Sequence, residues 1–193
     1  RCQPANHTPA QTEGPFYPIK DQLDTDADLI QIKGSEHSAE GKIVIVEGVI
    51  RDQRCQVVAG ALVEIWQACH TGRYNHPSDT NTAELDPHFQ YWGKAVTDKN
   101  GKYTFRTIIP GAYPADTDWV RPPHIHFKIA RLGYEELITQ MYFSGESLNA
   151  QDKILQNLNP IEQLKVIVEF KKEETQPYPK GVFDIQIRRV SGT

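Results

Sequence analysis

From residue 42 onward the chain alternates apolar and polar positions with a period of two. Seven runs carry the pattern: 42–50, 61–69, 102–108, 124–129, 137–143, 164–170 and 182–188. Each is short, rich in β-branched or aromatic residues, and bounded by Gly, Pro, Asn or Asp, as strands are. Seven or eight strands without a long helical pattern predict an all-β fold, a β-sandwich of mixed or antiparallel strands joined by long loops. Asn100-Gly101 lies between two such runs, and Asn-Gly supplies the positive φ angles that a tight hairpin turn uses. One short helix is predicted between Ala150 and Leu158, where Ile154, Leu155 and Leu158 recur at helical spacing. Residues 1–40 carry turn formers and acids (Pro4, Pro9, Gly14-Pro15, Asp24, Asp26, Asp28) and no sustained period. They read as an extended arm packed on one sandwich domain spanning 41–193.

Composition narrows the classes. With 193 residues, 38% hydrophobic and 24% charged, the chain has apolar surface enough for a real core and too much for disorder. The formal charge of -4 comes from mixed signs, without the basic bias that phosphate neutralisation requires, so no nucleic-acid partner is expected. Apolar runs such as 43–46 fall far short of the roughly 18 residues of a membrane span. The three cysteines (Cys2, Cys55, Cys69) form no CxxC pair, which argues against a zinc ribbon and leaves room for one bridge. Met141 is the only methionine, so the chain as given reads as processed or trimmed, and a start at Arg1-Cys2-Gln3-Pro4 is what an export signal could leave behind. An exported or periplasmic location is favoured over a cytoplasmic one. Asn6-His7-Thr8 matches the glycosylation triplet, which matters only in a eukaryotic secretory chain.

Candidate chemistry concentrates in Pro110-Gly111-Ala112-Tyr113-Pro114 and Trp119-Val120-Arg121-Pro122-Pro123-His124-Ile125-His126-Phe127. Residues two apart on a strand share a face, so His124 and His126 can present both imidazoles to one metal ion. The competing reading is one histidine in the core and the other hydrogen-bonded on a loop. No cysteine accompanies the pair, and Arg131 stands five residues on where a cupin-like site would have an acid. Tyr113 and Tyr74, taken alone, read as packing residues in turn-rich settings.

The ordered set Gly72-Arg73-Tyr74, Pro110-Gly111-Ala112-Tyr113-Pro114 and Asp118-Trp119-x-Arg121-Pro122-Pro123-His124-Ile125-His126-Phe127 resembles the intradiol ring-cleavage dioxygenases, nearest to the protocatechuate 3,4-dioxygenase type and its iron-bearing β subunit. The likeness extends over 62–68, 85–87, 97–103, 139–143 and 183–185, and covers roughly residues 11 to 190. It implies one Fe(III) per chain, held by Tyr74, Tyr113, His124 and His126. It further implies a catecholic substrate and O2, cleavage between the two hydroxylated carbons, and a cis,cis-muconate-type product. By the same resemblance Tyr113 is the axial tyrosinate that yields to substrate and takes up its proton. Arg121 stabilises negative charge on the ring, where residue type alone allows a surface salt bridge as readily, and Gln140 supports Arg121; Tyr17 borders the substrate, and Trp66 reads either as a pocket wall or, like most tryptophans inside strands, as core.

Hard Fe(III) suits phenolate ligands. No Gly-x-Gly-x-x-Gly motif calls for a dinucleotide. His70, His76 and His88 match no family role and read as surface or packing residues.

The resemblance departs after Tyr113-Pro114, where Ala115-Asp116-Thr117-Asp118 replaces a longer tryptophan-containing loop, and this puts protocatechuate itself in question as substrate. The chain also lacks the long helical dimerisation segment of catechol and hydroxyquinol dioxygenases. That leaves another homo-oligomer, or pairing with a homologous subunit, as the assemblies to consider. Two other functions compete. Val46-x-Gly48-x-Ile50-x-Asp52 and Thr97-Asp98-x-x-Gly101-x-Tyr103-x-Phe105 also resemble transthyretin-like, non-enzymatic binding modules. A zinc hydrolase built on His124 and His126 is the third reading.

Overall fold

The computed structural model describes residues 1–190; the last three residues of the expected domain, 191–193, lie outside the described residues. In chain order the strands are β1 (Ile43–Arg51), β2 (Leu62–Trp66), β3 (Trp92–Val96), β4 (Lys102–Ile108), β5 (Tyr113–Asp116), β6 (Trp119–Arg121), β7 (His124–Ala130) and β8 (Leu137–Phe143). A helix, α1 (Pro160–Val166), precedes the short β9 (Ile167–Val168), β10 (Phe170–Lys171), β11 (Lys180–Val182) and β12 (Ile185–Gln186). One sheet is centred on β1, with antiparallel β4 on one edge and parallel β11 and β12 along the other, and β10 beyond β11. The second sheet runs β3-β2-β7-β8-β9.

The two-residue period places the core between these sheets. Along β1, Val44, Val46 and Ile50 are fully buried while their neighbours are partly exposed. From the second sheet Val63, Ile65, Ile125, Phe127 and Ile129 enter the same core. Tyr103 and Phe105 of β4 meet Phe127 of β7 with ring centroids 6.0 Å and 6.5 Å apart, near edge-on. Each such side chain stabilises the fold by about 1.5–3 kcal/mol through burial.

The expected strands at 42–50, 61–69, 102–108, 124–129 and 137–143 appear as β1, β2, β4, β7 and β8. The last two runs are broken. The segment 164–170 begins inside α1, because Asn159 caps the helix: its side chain accepts from the Glu162 N–H at 2.8 Å, Glu162 accepts from the Asn159 N–H at 3.0 Å, and Pro160 opens the first turn. The segment 182–188 is divided between β11 and β12, which pair with successive stretches of β1. No α-helix forms over 150–158; two 3₁₀ turns, Ser147–Gln151 and Leu155–Asn157, stand there instead, with the buried Asp152 accepting the Leu155 N–H. At Asn100-Gly101 the chain does reverse, with Gly101 at φ +74°, yet Asn100 keeps a negative φ, and β3 and β4 part into different sheets.

The arm of residues 1–40 is built into the sandwich. Gln11 N–H donates to the Ile138 carbonyl at 2.9 Å along the open edge of β8, and Leu29 and Ile30 are buried. Asp28 holds Arg106 of β4 in a two-pronged ion pair, 2.6 Å and 3.0 Å. A Cys2–Cys55 disulfide closes the start of the arm onto the turn after β1, while Cys69 is a buried free thiol. A bridge across 53 residues restricts the unfolded chain, so Cys2→Ser is expected to lower stability by up to about 4 kcal/mol. Urea unfolding measures this; an unchanged midpoint would mean that the remaining arm contacts alone hold the segment.

Among the described residues no helix is long and apolar enough to cross a membrane.

Candidate metal centre

The outer face of the second sheet carries the site. Because Ile125, Phe127 and Ile129 point into the core, His124 and His126 point the other way, and both are 2% exposed. Trp92, Trp66, His126 and Gln140 are lateral neighbours in register across β3, β2, β7 and β8, and His124 lies beside Tyr142 one step along.

Two loops bring the tyrosines to this face. Gly72 and Gly111 lie against each other: a Cβ on Gly111 would fall 2.4 Å from the Gly72 nitrogen, and one on Gly72 would fall 2.3 Å from the Ala112 carbonyl oxygen. The Cys69 carbonyl accepts both the Gly72 N–H at 3.0 Å and the Gly111 N–H at 2.9 Å, which ties the loops together. Each tyrosine follows its glycine by two residues. The Tyr74 N–H is in turn held by Asp79 Oδ2 at 2.8 Å.

Four donor atoms, two phenol oxygens and two imidazole nitrogens, then converge. Tyr74 Oη lies 3.0 Å from His126 Nε2 and 3.2 Å from His124 Nε2, and Tyr113 Oη lies 3.4 Å from His124 Nε2. Ligands bonded at about 2.0–2.1 Å to one ion, at angles of 90–110°, stand about 2.9–3.4 Å apart, so the spacing fits a shared metal. His124 Nδ1 lies 2.7 Å from the Pro122 carbonyl, which can only accept, so the Nε2 lone pair faces the cluster. His126 Nδ1 has no partner among the described residues; its ring is set by stacking on Trp66, 5.0 Å between centroids and 8° from parallel.

Burial governs the ionisation. It pushes both imidazoles well below the ordinary histidine range, with Arg121 adding to the effect at His124, and His124 and Arg121 adding to it at His126. Both rings are therefore in the neutral, ligating form. Burial also raises both phenols above their ordinary value; at Tyr74 its neighbour Tyr113 reinforces this, while Arg121 opposes it at both. Only a strong local cation would reverse that preference, and a hard trivalent ion supplies one. No carboxylate or thiolate belongs to the set, and among the described residues no cluster of three His, Cys, Asp or Glu offers a conventional zinc site.

Arg121 lies against the cluster, 4% exposed. Its Nε and Nη2 meet the two oxygens of Asp152 at 3.0 Å and 3.1 Å, Nη2 also donates to Gln140 Oε1 at 2.8 Å and Tyr142 Oη at 3.1 Å, and Nη1 lies 3.0 Å from His124 Nε2. Burial opposes the guanidinium charge most strongly, but the Asp152 hydrogen bond and the electrostatic pull of Tyr113, Tyr142 and Asp152 together offset it and hold the group protonated. The surface ion pair open to this arginine on residue type alone is thus a buried one.

A cleft of about 680 Å³ opens over Tyr113, Arg121 and His126. Its walls are Phe16 of the arm, the loop 78–82, the β5–β6 hairpin with Trp119, and Ile154. Neither Tyr17 nor Trp66, expected beside the substrate, lines it. Trp66 is 1% exposed behind His126, and Tyr17 sits one layer further back, edge-on to Trp66 at 4.9 Å and bonded to Glu64 at 2.9 Å. The aromatic wall is Phe16, the immediate neighbour of Tyr17, whose ring packs on Tyr74 at 4.5 Å. Asp152, Tyr142, Asp79 and Trp119 also belong to the site without having been singled out. Tyr142 was legible, being two residues from Gln140 on a strand, whereas nothing local marks Asp152. His70 pairs with Glu40 at 3.1 Å and His88 packs on His37 at 5.1 Å, both away from the four donors. His76 packs on Phe16 at 5.8 Å.

A family model described as Dioxygenase matches residues 12–188. The protocatechuate 3,4-dioxygenase beta chain of Burkholderia cepacia is 37% identical over 180 residues, 90% of this chain and 76% of that protein. The chain belongs to the intradiol ring-cleavage dioxygenase family. It is an oxidoreductase of the dioxygenase class, and the transthyretin-like module and zinc hydrolase are not favoured. Catechol 1,2-dioxygenase of Candida albicans is 29% identical over 72% of the chain, which spans about half (48%) of that longer relative. Among solved structures, the dioxygenase domain of a dioxygenase carbohydrate-binding protein fusion from Streptomyces sp. SirexAA-E superposes with a TM-score of 0.71 at 28% identity, covering 96% of this chain and all (100%) of that one.

Proposed function

We propose that this chain is a non-haem Fe(III) intradiol dioxygenase that inserts both atoms of O2 into a catecholic ring, cleaving between the hydroxylated carbons to give a cis,cis-muconate-type diacid. The convergence of Tyr74, Tyr113, His124 and His126, two phenols and two neutral imidazoles with no acid, carries the reading. When bound there, ferric iron supplies a Lewis acid that draws a catecholate into the site and leaves its ring open to O2.

The protein's own groups divide the remaining work. Tyr113 is the ligand that faces the cleft, 9% exposed against 3% for Tyr74, so it is the phenol an incoming diol reaches and the one placed to accept a diol proton at Oη. Tyr74, walled in by Phe16 and the two histidines, stays in place. Arg121 presents Nη1 at the floor of the cleft, a fixed positive charge that stabilises negative charge developing on the ring. Gln140 holds Arg121 from one side, and its Nε2 donates to the Thr12 carbonyl at 2.9 Å, so the arm closes the site. Phe16 and Trp119 exclude water from the reacting ring. The Cys2–Cys55 bridge supports an exported location, since such bonds persist in oxidising compartments.

The purified protein should hold near-stoichiometric iron, show a broad visible phenolate band that shifts on anaerobic addition of catechol, and take up O2 with it. Tyr74→Phe should weaken iron affinity by roughly 10–100-fold or more and bleach the band. A colourless protein that stays colourless after iron reconstitution, or a Tyr74→Phe variant that keeps the band and the iron, would overturn the proposal.

A further inference from the structure

We infer that the cleft selects uncharged, substituted catechols and rejects those with a carboxylate on the ring, and that the loop 78–82 is the element that decides this. The inference rests on the reading of the site as a catechol-cleaving centre and adds the substrate class.

It follows from the charges around the cleft. Arg121 is the single cation among the lining residues. Its Nε and Nη2 are held by Asp152, Gln140 and Tyr142, and Nη1 points at the floor beside His124, so it serves the diol end of a substrate and leaves nothing for a substituent. Lys153 does not line the cleft: it is exposed, lies over the Trp119 ring at 5.4 Å, and lines the neighbouring hollow of Ala10, Gln11 and Leu158.

The outer wall has the opposite character. Ser78, Thr80, Asn81 and Thr82 offer neutral polar groups, and the one charge among them is Asp79. Its carboxylate is fixed, with Oδ2 on the Tyr74 N–H at 2.8 Å and Oδ1 on the Asn81 N–H at 2.9 Å. Across the cleft, the hairpin that supplies Pro114, Ala115 and Trp119 carries exposed Asp116 and Asp118 at its tip. A ring carboxylate would enter past Asp79 with no cation on the outer wall to pair with, and lose hydration as it did so, which is unfavourable on both counts. A neutral ester, ether or alkyl group meets no such penalty. At about 680 Å³ the cleft has the capacity of sites for drug-sized ligands, well beyond a bare benzenediol.

The test compares protocatechuate with its methyl ester, which differ in charge at one substituent. Steady-state O2 uptake gives kcat/KM, and anaerobic titration of the iron-loaded protein gives Kd from the visible band or from tryptophan quenching. The ester is expected to exceed the acid by at least about tenfold in both, the difference lying in KM. Thr80→Lys, at an exposed position of the wall, should raise kcat/KM for protocatechuate by about tenfold relative to that for catechol. Equal or better binding and turnover of protocatechuate by the unaltered protein would overturn the inference, as would a Thr80→Lys variant with no gain. If no catechol is turned over, the proposed activity fails instead, and the ratio of the two dissociation constants still decides the charge preference.

Discussion

Replacing Arg121 with methionine is expected to destabilise the protein by about 3–5 kcal/mol and to abolish ring cleavage, two losses with separate causes. The stability loss comes from Asp152. This carboxylate is fully buried, and its partners are the Arg121 guanidinium, the Trp119 indole N–H at 3.2 Å and the Leu155 N–H at 3.0 Å. Removing the arginine leaves a buried negative charge with neutral donors only. The loss of activity comes from Nη1, the edge that faces the donors. A double variant, Arg121→Met with Asp152→Leu, removes both charges and should recover most of the urea stability while remaining inactive. Recovery of turnover in the double variant would show that Arg121 acts through folding alone and would remove it from the chemistry.

Gly111→Ala is expected to have the second large effect, through a single methyl group. That carbon would sit 2.4 Å from the Gly72 nitrogen and 2.5 Å from the His70 carbonyl oxygen, both backbone atoms with nowhere to turn. The loops must separate, and with them Tyr74 and Tyr113, whereas a working metal site tolerates only about 0.5 Å. Overpacking of this kind costs about 1–3 kcal/mol of stability. Iron affinity, measured by competition with a chelator, should fall by about 100-fold, more than the change in unfolding midpoint suggests. An alanine variant with native iron affinity would show that the two loops find their places independently.

Much of this was legible in the chain, and particular residues show why. The period of two that put Ile125 and Phe127 in the core placed His124 and His126 on the opposite face, so strand geometry alone paired the imidazoles. The tyrosines were different. Residue type made Tyr74 and Tyr113 packing groups, which in one sense they are, and only the ordered resemblance singled them out; the glycine contact that brings them together joins positions 39 apart (111 − 72).

Asp152 was invisible for a similar reason: its neighbours in sequence form a 3₁₀ turn of ordinary polarity, and its meaning lies in Arg121, a non-local partner. Where strands were misread, local chemistry had overridden the pattern. The Asn159-Pro160-x-Glu162 cap starts a helix that continues into the apolar run 164–170, and β3 escaped notice because its alternation is weak and Gly93 lies within it. The shift from Tyr17 to Phe16 as cleft wall is a matter of one residue in an arm without regular period, where no rule says which ring faces inward.

The lateral row of Trp92, Trp66, His126 and Gln140 has a consequence for quality control during synthesis. Were β7 to slip by one residue against β8, Ile125 and Phe127 would be turned onto the face that carries the site and both imidazoles driven into the oil of the core. If the proposed Fe(III) site is the one this chain uses, no such misfolded chain could capture the metal, and iron uptake would count the molecules whose strands have aligned correctly. The ratio of iron to protein in a fresh preparation would then be an assay of folding fidelity as much as of cofactor supply.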